Sequence, residues 1–269
     1  MKYVQLGRGE NGGALEGLAR EFYLGDHETE RKTRENFRRT GLVASAQIIE
    51  DILPQTKVIR DFGGRTGLQG VLLIPIARTG LAVCGGPALD YWQNTLRGTR
   101  VWMASIGASR GKDSLSLPAE VYFETLRHLP NKDWKDWIVV VFEYGLATAS
   151  TIAGVYPVIT TLLPGLDDAN LIIFANCFCR KQSRARLDQI STSAIFTYGS
   201  SWLYDPVDLY LNTMLIQGGD WKRYQPRDWG KCAFGDGGEE FIRTFAGTVP
   251  ESQFTEKDKE AIRAYFASR

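Results

Sequence analysis

Five short apolar runs, separated by segments long enough for helices, constrain the fold more than any other feature of the sequence. The runs are Val71–Ile76, Arg100–Ile106, Trp137–Phe142, Leu171–Ala175 and Ala194–Phe196. Strands that are apolar on both faces belong in a mostly parallel sheet covered by helices. The intervening segments Thr151–Leu163 and Lys181–Ile190 have the length of crossover helices. The sequence therefore predicts an α/β fold, a mostly parallel twisted sheet flanked by helices, with ligands bound where the carboxyl ends of the strands meet the following loops.

The chain of 269 residues predicts one large domain with appendages. The glycine-rich residues 1–28 are interpreted as an N-terminal arm, residues 29–235 as the main domain, and residues 236–269 as a C-terminal extension packed on it. Glu28–Leu53 reads as a packing or dimerisation helix that Pro54 ends. Near the C-terminus, Ala261, Ile262, Tyr265 and Phe266 form an apolar stripe at helical spacing.

The charge balance excludes whole classes of partner. The chain has 32 Lys and Arg against 31 Asp and Glu, a formal net charge of +1, so neither a nucleic-acid scaffold nor a polybasic membrane protein is expected. No apolar run approaches the roughly 18 residues of a spanning helix, and no signal peptide is evident. Four cysteines fit reduced thiols in the cytoplasm. Cys177 and Cys179 lack a second ligand pair, so we expect no zinc site.

The segment Val139–Ala153 is the most informative for chemistry. A buried strand ends in an acid, Glu143, and runs through small and hydroxyl residues into a helix. Backbone N–H groups at a helix N-terminus, with the Thr148, Ser150 and Thr151 hydroxyls, can hold a phosphate. Alternatively, the small residues only let the helix pack close to the sheet.

Four segments of the chain, in order, resemble one known family. They are Ile74–Leu81 (Ile-Pro-Ile-Ala-Arg-Thr-Gly-Leu), Ala108–Arg110 with Leu117–Phe123 and Leu129–Pro130, Glu143–Thr151, and Pro226–Gly230 with Phe234–Gly235. The segments are similar to those of the uracil phosphoribosyltransferases, within the type I phosphoribosyltransferase fold. The resemblance covers roughly residues 30 to 235.

The resemblance implies transfer of a 5-phosphoribosyl group from phosphoribosyl pyrophosphate to a small heterocyclic base, with Mg²⁺ as cofactor, in a homodimer. Arg78 and Arg110 would clamp the pyrophosphate, and Glu143 would bind the ribose hydroxyls. For the arginines, surface pairing with Asp or Glu is the alternative. The remaining implied substrate-binding residues are Thr79, Gly80, Tyr144, Leu146, the 5′-phosphate segment Ala147, Thr148, Ala149, Ser150 and Thr151, and the base-site residues Asp228, Trp229 and Gly230.

The chain departs from the family at the predicted site. Glu143 stands where the family has Asp, Tyr144 where it has Pro, and Ala149-Ser150 where it has Gly-Gly. Trp229 would stack on a ring other than uracil, or pack into the core or a dimer contact. These departures favour an altered acceptor. They also leave two alternatives: a non-catalytic regulator that binds phosphoribosyl pyrophosphate or a nucleotide, and an enzyme that uses a carbon nucleophile or hydrolyses its donor.

A glycine-rich stretch, Asp61–Gly67, gives a hairpin signal before the first apolar run. It is interpreted as an arm over the site or a dimer contact.

Overall fold

A computed structural model describes residues 1–7, 13–24, 30–64, 67–77, 79–109, 118–146, 149–178 and 180–200. Within these ranges the architecture is a six-stranded, fully parallel sheet in the order β1-β8-β7-β6-β2-β3. Its strands are β1 (Lys2–Gln5), β2 (Gly70–Pro75), β3 (Arg100–Met103), β6 (Trp137–Leu146), β7 (Leu171–Phe178) and β8 (Ile195–Ser200). A two-stranded antiparallel ribbon is formed by β4 (Ile106–Ser109) and β5 (Glu120–Glu124). The predicted fold class, a mostly parallel sheet flanked by helices, is confirmed.

Seven α-helices accompany the strands in the described ranges. They are α1 (Gly13–Leu24), α2 (Glu30–Gln47), α3 (Lys57–Asp61), α4 (Thr79–Cys84), α5 (Pro87–Thr95), α6 (Ser150–Leu162) and α7 (Arg180–Ile190). A π-helical turn, Ile48–Ile52, continues α2 and buries three isoleucines. A 3-10 turn, Leu53–Gln55, follows it, so the helical stretch ends one residue beyond Pro54, where the sequence predicts its end.

Each face of the sheet has its own apolar core. On one face, side chains of the π-helical turn after α2, of α4 and of α5, among them Ile48, Val83 and Trp92, pack against Leu73 and Val140. On the other face, Ile152, Val155 and Ile159 of α6 and Leu187 of α7 pack against Val139 and Val141. The central strands are buried on both sides, which is why they appear in the sequence as continuous apolar runs.

The strand order places a topological switch point between β2 and β6. From β2 the chain passes through α4 and α5, on one face, outward to β3; from β6 it passes through α6, on the other face, outward to β7. Because the two connections leave in opposite directions, a crevice opens at the carboxyl ends of β2 and β6, where ligands bind in open α/β sheets. We call this the switch-point crevice.

The N-terminal segment is packed more closely than the sequence indicated. β1 pairs in parallel with β8, and α1 buries Leu15, Leu18 and Ala19. The described part of residues 1–28 therefore belongs to the domain rather than forming a loose arm.

The described part of Asp61–Gly67, residues 61–64 and 67, forms no hairpin. Asp61 ends the short helix α3, a turn follows at 62–64, and the chain enters β2 at Gly70. These residues precede β2 and lie toward the opposite end of that strand from the switch-point crevice, which does not favour an arm over the site. A dimer contact stays a prediction. The predicted C-terminal extension, 236–269, lies outside the described residues.

Among the described helices, none is both long enough and apolar enough to span a membrane.

A tryptophan cluster surrounds Lys132 at the opposite end of β6 from the crevice. The Nζ atom of Lys132 lies 3.3 Å from the ring centroid of Trp137, 4.0 Å from that of Trp102 and 4.4 Å from that of Trp134. Gly70 makes room for the cluster, because a Cβ at that position would lie 2.4 Å from the Trp137 ring. Within the described ranges Nζ is buried and has no hydrogen-bond partner.

Candidate active site

The ends of β2 and β6 are joined at the switch-point crevice. Pro75 and Phe142 are the last residues in register, and the Ile76 amide then donates to the Phe142 carbonyl over 3.0 Å. Beyond that point β2 leaves β6, and the Ala77 amide donates to Ile106 on the ribbon over 2.7 Å. The divergence of the two chains is what opens the crevice.

Glu143 lies on this edge of the sheet and is held by two donors. Its Oε1 accepts a hydrogen bond of 2.7 Å from the Thr79 hydroxyl and one of 2.9 Å from the Tyr144 amide. The residue is only 9% exposed. A buried carboxylate with two donors on one oxygen is an acceptor with a defined orientation.

Gly80 lets the first turn of α4 lie directly against the end of β6. A Cβ at Gly80 would stand 2.3 Å from the Phe142 carbonyl oxygen, so any larger residue would push α4 away from the strand. This contact sets the position of the neighbouring Thr79 hydroxyl. Thr79 and Gly80, both predicted as site residues, thus lie at the crevice beside Glu143.

The start of α6 lies at the same edge. Ala149, which immediately precedes the helix, has a φ of 59°, the only positive φ of a non-glycine residue in the described ranges. Such a conformation is unfavourable for a residue with a Cβ. Ser150, the first helical residue, is buried, and Thr151 is half-buried. The first-turn N–H groups of a helix have no partner within the helix and attract anions.

The ribbon is attached to this helix start. The Ala119 amide donates to the Ser150 carbonyl over 2.9 Å. One turn further, a Cβ at Gly154 would lie 1.9 Å from the Ala119 carbonyl oxygen, so the glycine permits the close approach. The start of β5 and the first two turns of α6 therefore form one packed unit.

Arg186 of α7 is a cationic residue that the sequence analysis missed. Its Nη1 donates to the Ser150 hydroxyl over 2.5 Å, which brings a guanidinium to the first turn of α6. Its signal in the sequence is weak, because it is one of several basic residues on a helix that follows the neighbouring strand, β7. Only the packing of α7 against α6 distinguishes it from the exposed Arg184.

Two predicted substrate-binding side chains point into the cores instead of the crevice. Tyr144 is 1% exposed; its ring packs edge-on against Phe37, and its hydroxyl donates to Asn36 Oδ1 over 3.0 Å. Burial raises the pKa of the Tyr144 phenol well above its ordinary value. The Leu146 side chain is buried in the core on the other face. The expected position of the Tyr144 side chain beside the sugar site is thus corrected, whereas a role of Leu146 in substrate binding stays a prediction.

Several predicted site residues lie outside the described residues: Arg78, Arg110, Ala147, Thr148, Asp228, Trp229 and Gly230. For all of these residues the role stays a prediction.

Among the described residues at the crevice, Glu143 offers a carboxylate to a Mg²⁺ ion. No group of three or more His, Cys, Asp and Glu side chains that could hold a metal ion occurs in the part of the chain that the structure describes. Mg²⁺ is commonly held by one or two carboxylates together with substrate phosphates and water. Glu143 supplies one such carboxylate, so the described residues fit a metal ion that a phosphorylated substrate helps to hold.

Comparisons with known proteins add little to this geometry. No protein-family model matches the chain, and no curated protein matches it. Among solved structures, the hypoxanthine phosphoribosyltransferase of Trypanosoma cruzi in complex with IMP is 18% identical, with 61% of this chain and 75% of that chain covered and a TM-score of 0.37. A hypoxanthine phosphoribosyltransferase of Staphylococcus aureus is 9% identical, with 64% and 82% covered and a TM-score of 0.37. Likenesses this distant carry no argument, so the fold rests on the strand order and crossovers described above.

Proposed function

We propose that the chain transfers a 5-phosphoribosyl group from phosphoribosyl pyrophosphate to a ring nitrogen of uracil or of another small heterocyclic base. The bond between ribose C1 and the pyrophosphate oxygen breaks, a bond from C1 to the base nitrogen forms, and pyrophosphate leaves. The observation that carries the proposal is the Glu143 carboxylate, held by Thr79 at the switch-point crevice a few residues before α6 begins. The resemblance of four segments to uracil phosphoribosyltransferases supports the same reaction.

The proposed roles follow from the charge that develops during the reaction. As pyrophosphate leaves, positive charge builds on the ribose ring and negative charge on the leaving group. Glu143 would accept hydrogen bonds from the ribose hydroxyls and face the developing positive charge. Arg78 and Arg110 would bind the pyrophosphate as permanently charged donors. The N–H groups of Ala147–Thr151 would bind the 5′-phosphate, and Asp228, Trp229 and Gly230 would contact the base.

Mg²⁺, when bound with the donor, would neutralise charge on the pyrophosphate oxygens, and the Glu143 carboxylate, which would bind the ribose hydroxyls, would also help to hold it. The chain's own contribution is to orient the sugar and to supply fixed positive charge around the leaving group. Removal of divalent ions with a chelator should therefore weaken donor binding, and calorimetry with and without Mg²⁺ measures this.

The proposed reaction is tested by pyrophosphate release from phosphoribosyl pyrophosphate and Mg²⁺, with and without a panel of pyrimidines, imidazoles and larger heterocycles. Base-dependent release should fall at least about 100-fold in Glu143→Gln, because the carboxylate acts where charge develops. Glu50→Gln, the same substitution at an exposed site, is the matched control and should retain full activity. Release that is unaffected by Glu143→Gln would refute the proposed role, and exclusive use of uracil would refute an altered acceptor.

A second candidate is a non-catalytic regulator that binds phosphoribosyl pyrophosphate or a nucleotide at the same crevice. The observation that favours it concerns Ala149, next to the predicted phosphate loop. Its backbone has a positive φ, a conformation that glycine adopts more readily than a residue with a Cβ, so the geometry of the loop differs from that expected of a transferase. Donor binding without pyrophosphate release in any mixture would support the regulator and refute the transferase.

A homodimer located in the cytoplasm completes the proposal. The dimer follows from the resemblance alone. Sedimentation of the purified chain at micromolar concentration should give twice the mass of 30.1 kDa, and a monomer at that concentration would refute it.

A further inference from the structure

The first two residues of α4 meet the end of β6 in two contacts of different kinds. Gly80 lies so close that a Cβ would stand 2.3 Å from the Phe142 carbonyl oxygen. The preceding residue, Thr79, donates its hydroxyl proton to Glu143 Oε1 over 2.7 Å. Gly80 thus allows α4 to lie close to β6, and at this short separation the Thr79 hydroxyl can hydrogen-bond to the Glu143 carboxylate.

The two donors to Glu143 Oε1 constrain the carboxylate differently. The Tyr144 amide is the next residue in the same strand, so its hydrogen bond moves with Glu143. The Thr79 hydroxyl comes from the connection that follows β2 and ties the carboxylate across the crevice. A glutamate has one more rotatable bond than an aspartate, and each bond fixed by the protein beforehand need not be fixed by the ligand.

We propose that Thr79 is a positioning residue that acts through Glu143, holding the carboxylate in the orientation that receives the sugar hydroxyls of a phosphoribosyl ligand, with Gly80 as the spacer. The inference rests on the proposed function for the identity of the ligand. It differs from a direct contact of Thr79 with substrate, because the threonine hydroxyl proton is already donated to Glu143.

The inference is tested by calorimetric titration of the full chain with ribose 5-phosphate, which requires no turnover. Thr79→Val keeps the shape of the side chain and removes the hydroxyl, and we expect it to weaken binding about tenfold, the usual effect of one hydrogen bond to a charged group. Thr79→Ser restores the hydroxyl and should bind within about threefold of wild type. Thr160→Val, which removes a half-buried hydroxyl on α6, is the matched control and should bind as wild type.

A double-mutant cycle separates positioning from structural support. If Thr79 acts through Glu143, Thr79→Val should change the affinity less than about twofold in a Glu143→Ala background, because the group that accepts the Thr79 hydrogen bond is gone. In steady-state assays the loss should appear in the KM for the donor and not in that for the base. An equal loss in both backgrounds, or no rescue by serine, would overturn the inference.

The outcomes distinguish this inference from the proposed function. Wild-type protein that binds ribose 5-phosphate but releases no pyrophosphate refutes the transferase, while the binding cycle still decides the role of Thr79. Binding that is the same in wild type and Thr79→Val overturns the inference and leaves the transferase standing. Wild-type protein that binds neither ribose 5-phosphate nor phosphoribosyl pyrophosphate overturns both.

Discussion

Replacing Lys132 with methionine tests two opposing effects on its buried ammonium group: burial, which disfavours the charged form, and the surrounding tryptophan rings, which favour it. Burial, and secondarily the positive charge of Arg100, lower the pKa of Lys132 from 10.5 to about 8. The rings of Trp102, Trp134 and Trp137 favour the charged form and oppose this shift. Methionine has similar volume and no charge, so Lys132→Met removes both effects together.

The sign of the pH dependence follows from the lowered pKa. Between pH 8 and 10.5 the unfolded chain binds more protons at Lys132 than the folded chain, so the free energy of unfolding rises with pH in this window. A shift of this size in a fully buried group would correspond to roughly 3 kcal/mol. Because the Lys132 stem is only half-buried and the rings stabilise the ammonium, we expect about 1.5 kcal/mol.

The assay is urea unfolding of wild type and Lys132→Met, followed by far-UV circular dichroism at pH 7 and pH 10.5. Taking the difference between the two proteins cancels the titration of all other groups, and the wild type should gain about 1.5 kcal/mol relative to the variant. Lys135→Met, an exposed lysine paired with Asp133, is the control and should show no such gain. If the free energy of unfolding changes equally with pH in wild type and Lys132→Met, the lowered pKa of Lys132 is refuted. If the wild type loses stability relative to the variant at high pH, the aromatic rings stabilise the ammonium more than burial destabilises it.

Three further predictions concern helix packing, a half-buried hydrogen bond and the crevice. Gly41→Ala should lower the free energy of unfolding by about 3 kcal/mol, because the new Cβ would lie 1.8 Å from the Val83 carbonyl oxygen. Gly17→Ala is the control: its Cβ would have no atom within 4 Å, so the substitution should be neutral or stabilise the fold by up to about 1 kcal/mol. Urea unfolding of both variants measures the difference. Tyr156→Phe should cost about 1.5 kcal/mol by the same assay, because it removes the 2.6 Å hydrogen bond to Asp168, and an unchanged stability would contradict that bond. Arg186→Gln should weaken ribose 5-phosphate binding about tenfold while Arg184→Gln stays within about twofold, and calorimetry showing equal affinities would remove Arg186 from the site.

The sequence is sufficient to predict the strands that are buried on both faces. Val71–Ile76 and Trp137–Phe142 appear as β2 and β6 within a few residues, because only a covered parallel strand needs an unbroken apolar run. β8 runs on to Ser200, past the predicted Ala194–Phe196, since buried Thr197 pairs within the sheet without being apolar. β1 could not be predicted, because Lys2–Gln5 is short and polar and its only partner strand lies at the far end of the described chain.

In the candidate site, too, some features could be predicted from the sequence and others could not. Glu143 could be predicted from an acid at a strand end, and its neighbour Tyr144 could have been assigned to the core from the alternation of side chains along a strand. The hydrogen bonds of Thr79 to Glu143 and of Arg186 to Ser150 could not, because each joins residues from separate connections. Their formation depends on how closely α4 approaches β6 and α7 approaches α6, and no local pattern encodes those distances.

The pairing of β1 with β8 has a consequence for the order in which the chain folds. Lys2 is in register with Ile195, so β1 must wait until β8, the last described strand, has been synthesised before it gains its hydrogen bonds. Contacts between residues so far apart in sequence form late and slow the overall folding rate. Until then the apolar side of α1 has no sheet edge to cover, and a nascent chain that stops before β8 is the species most exposed to aggregation.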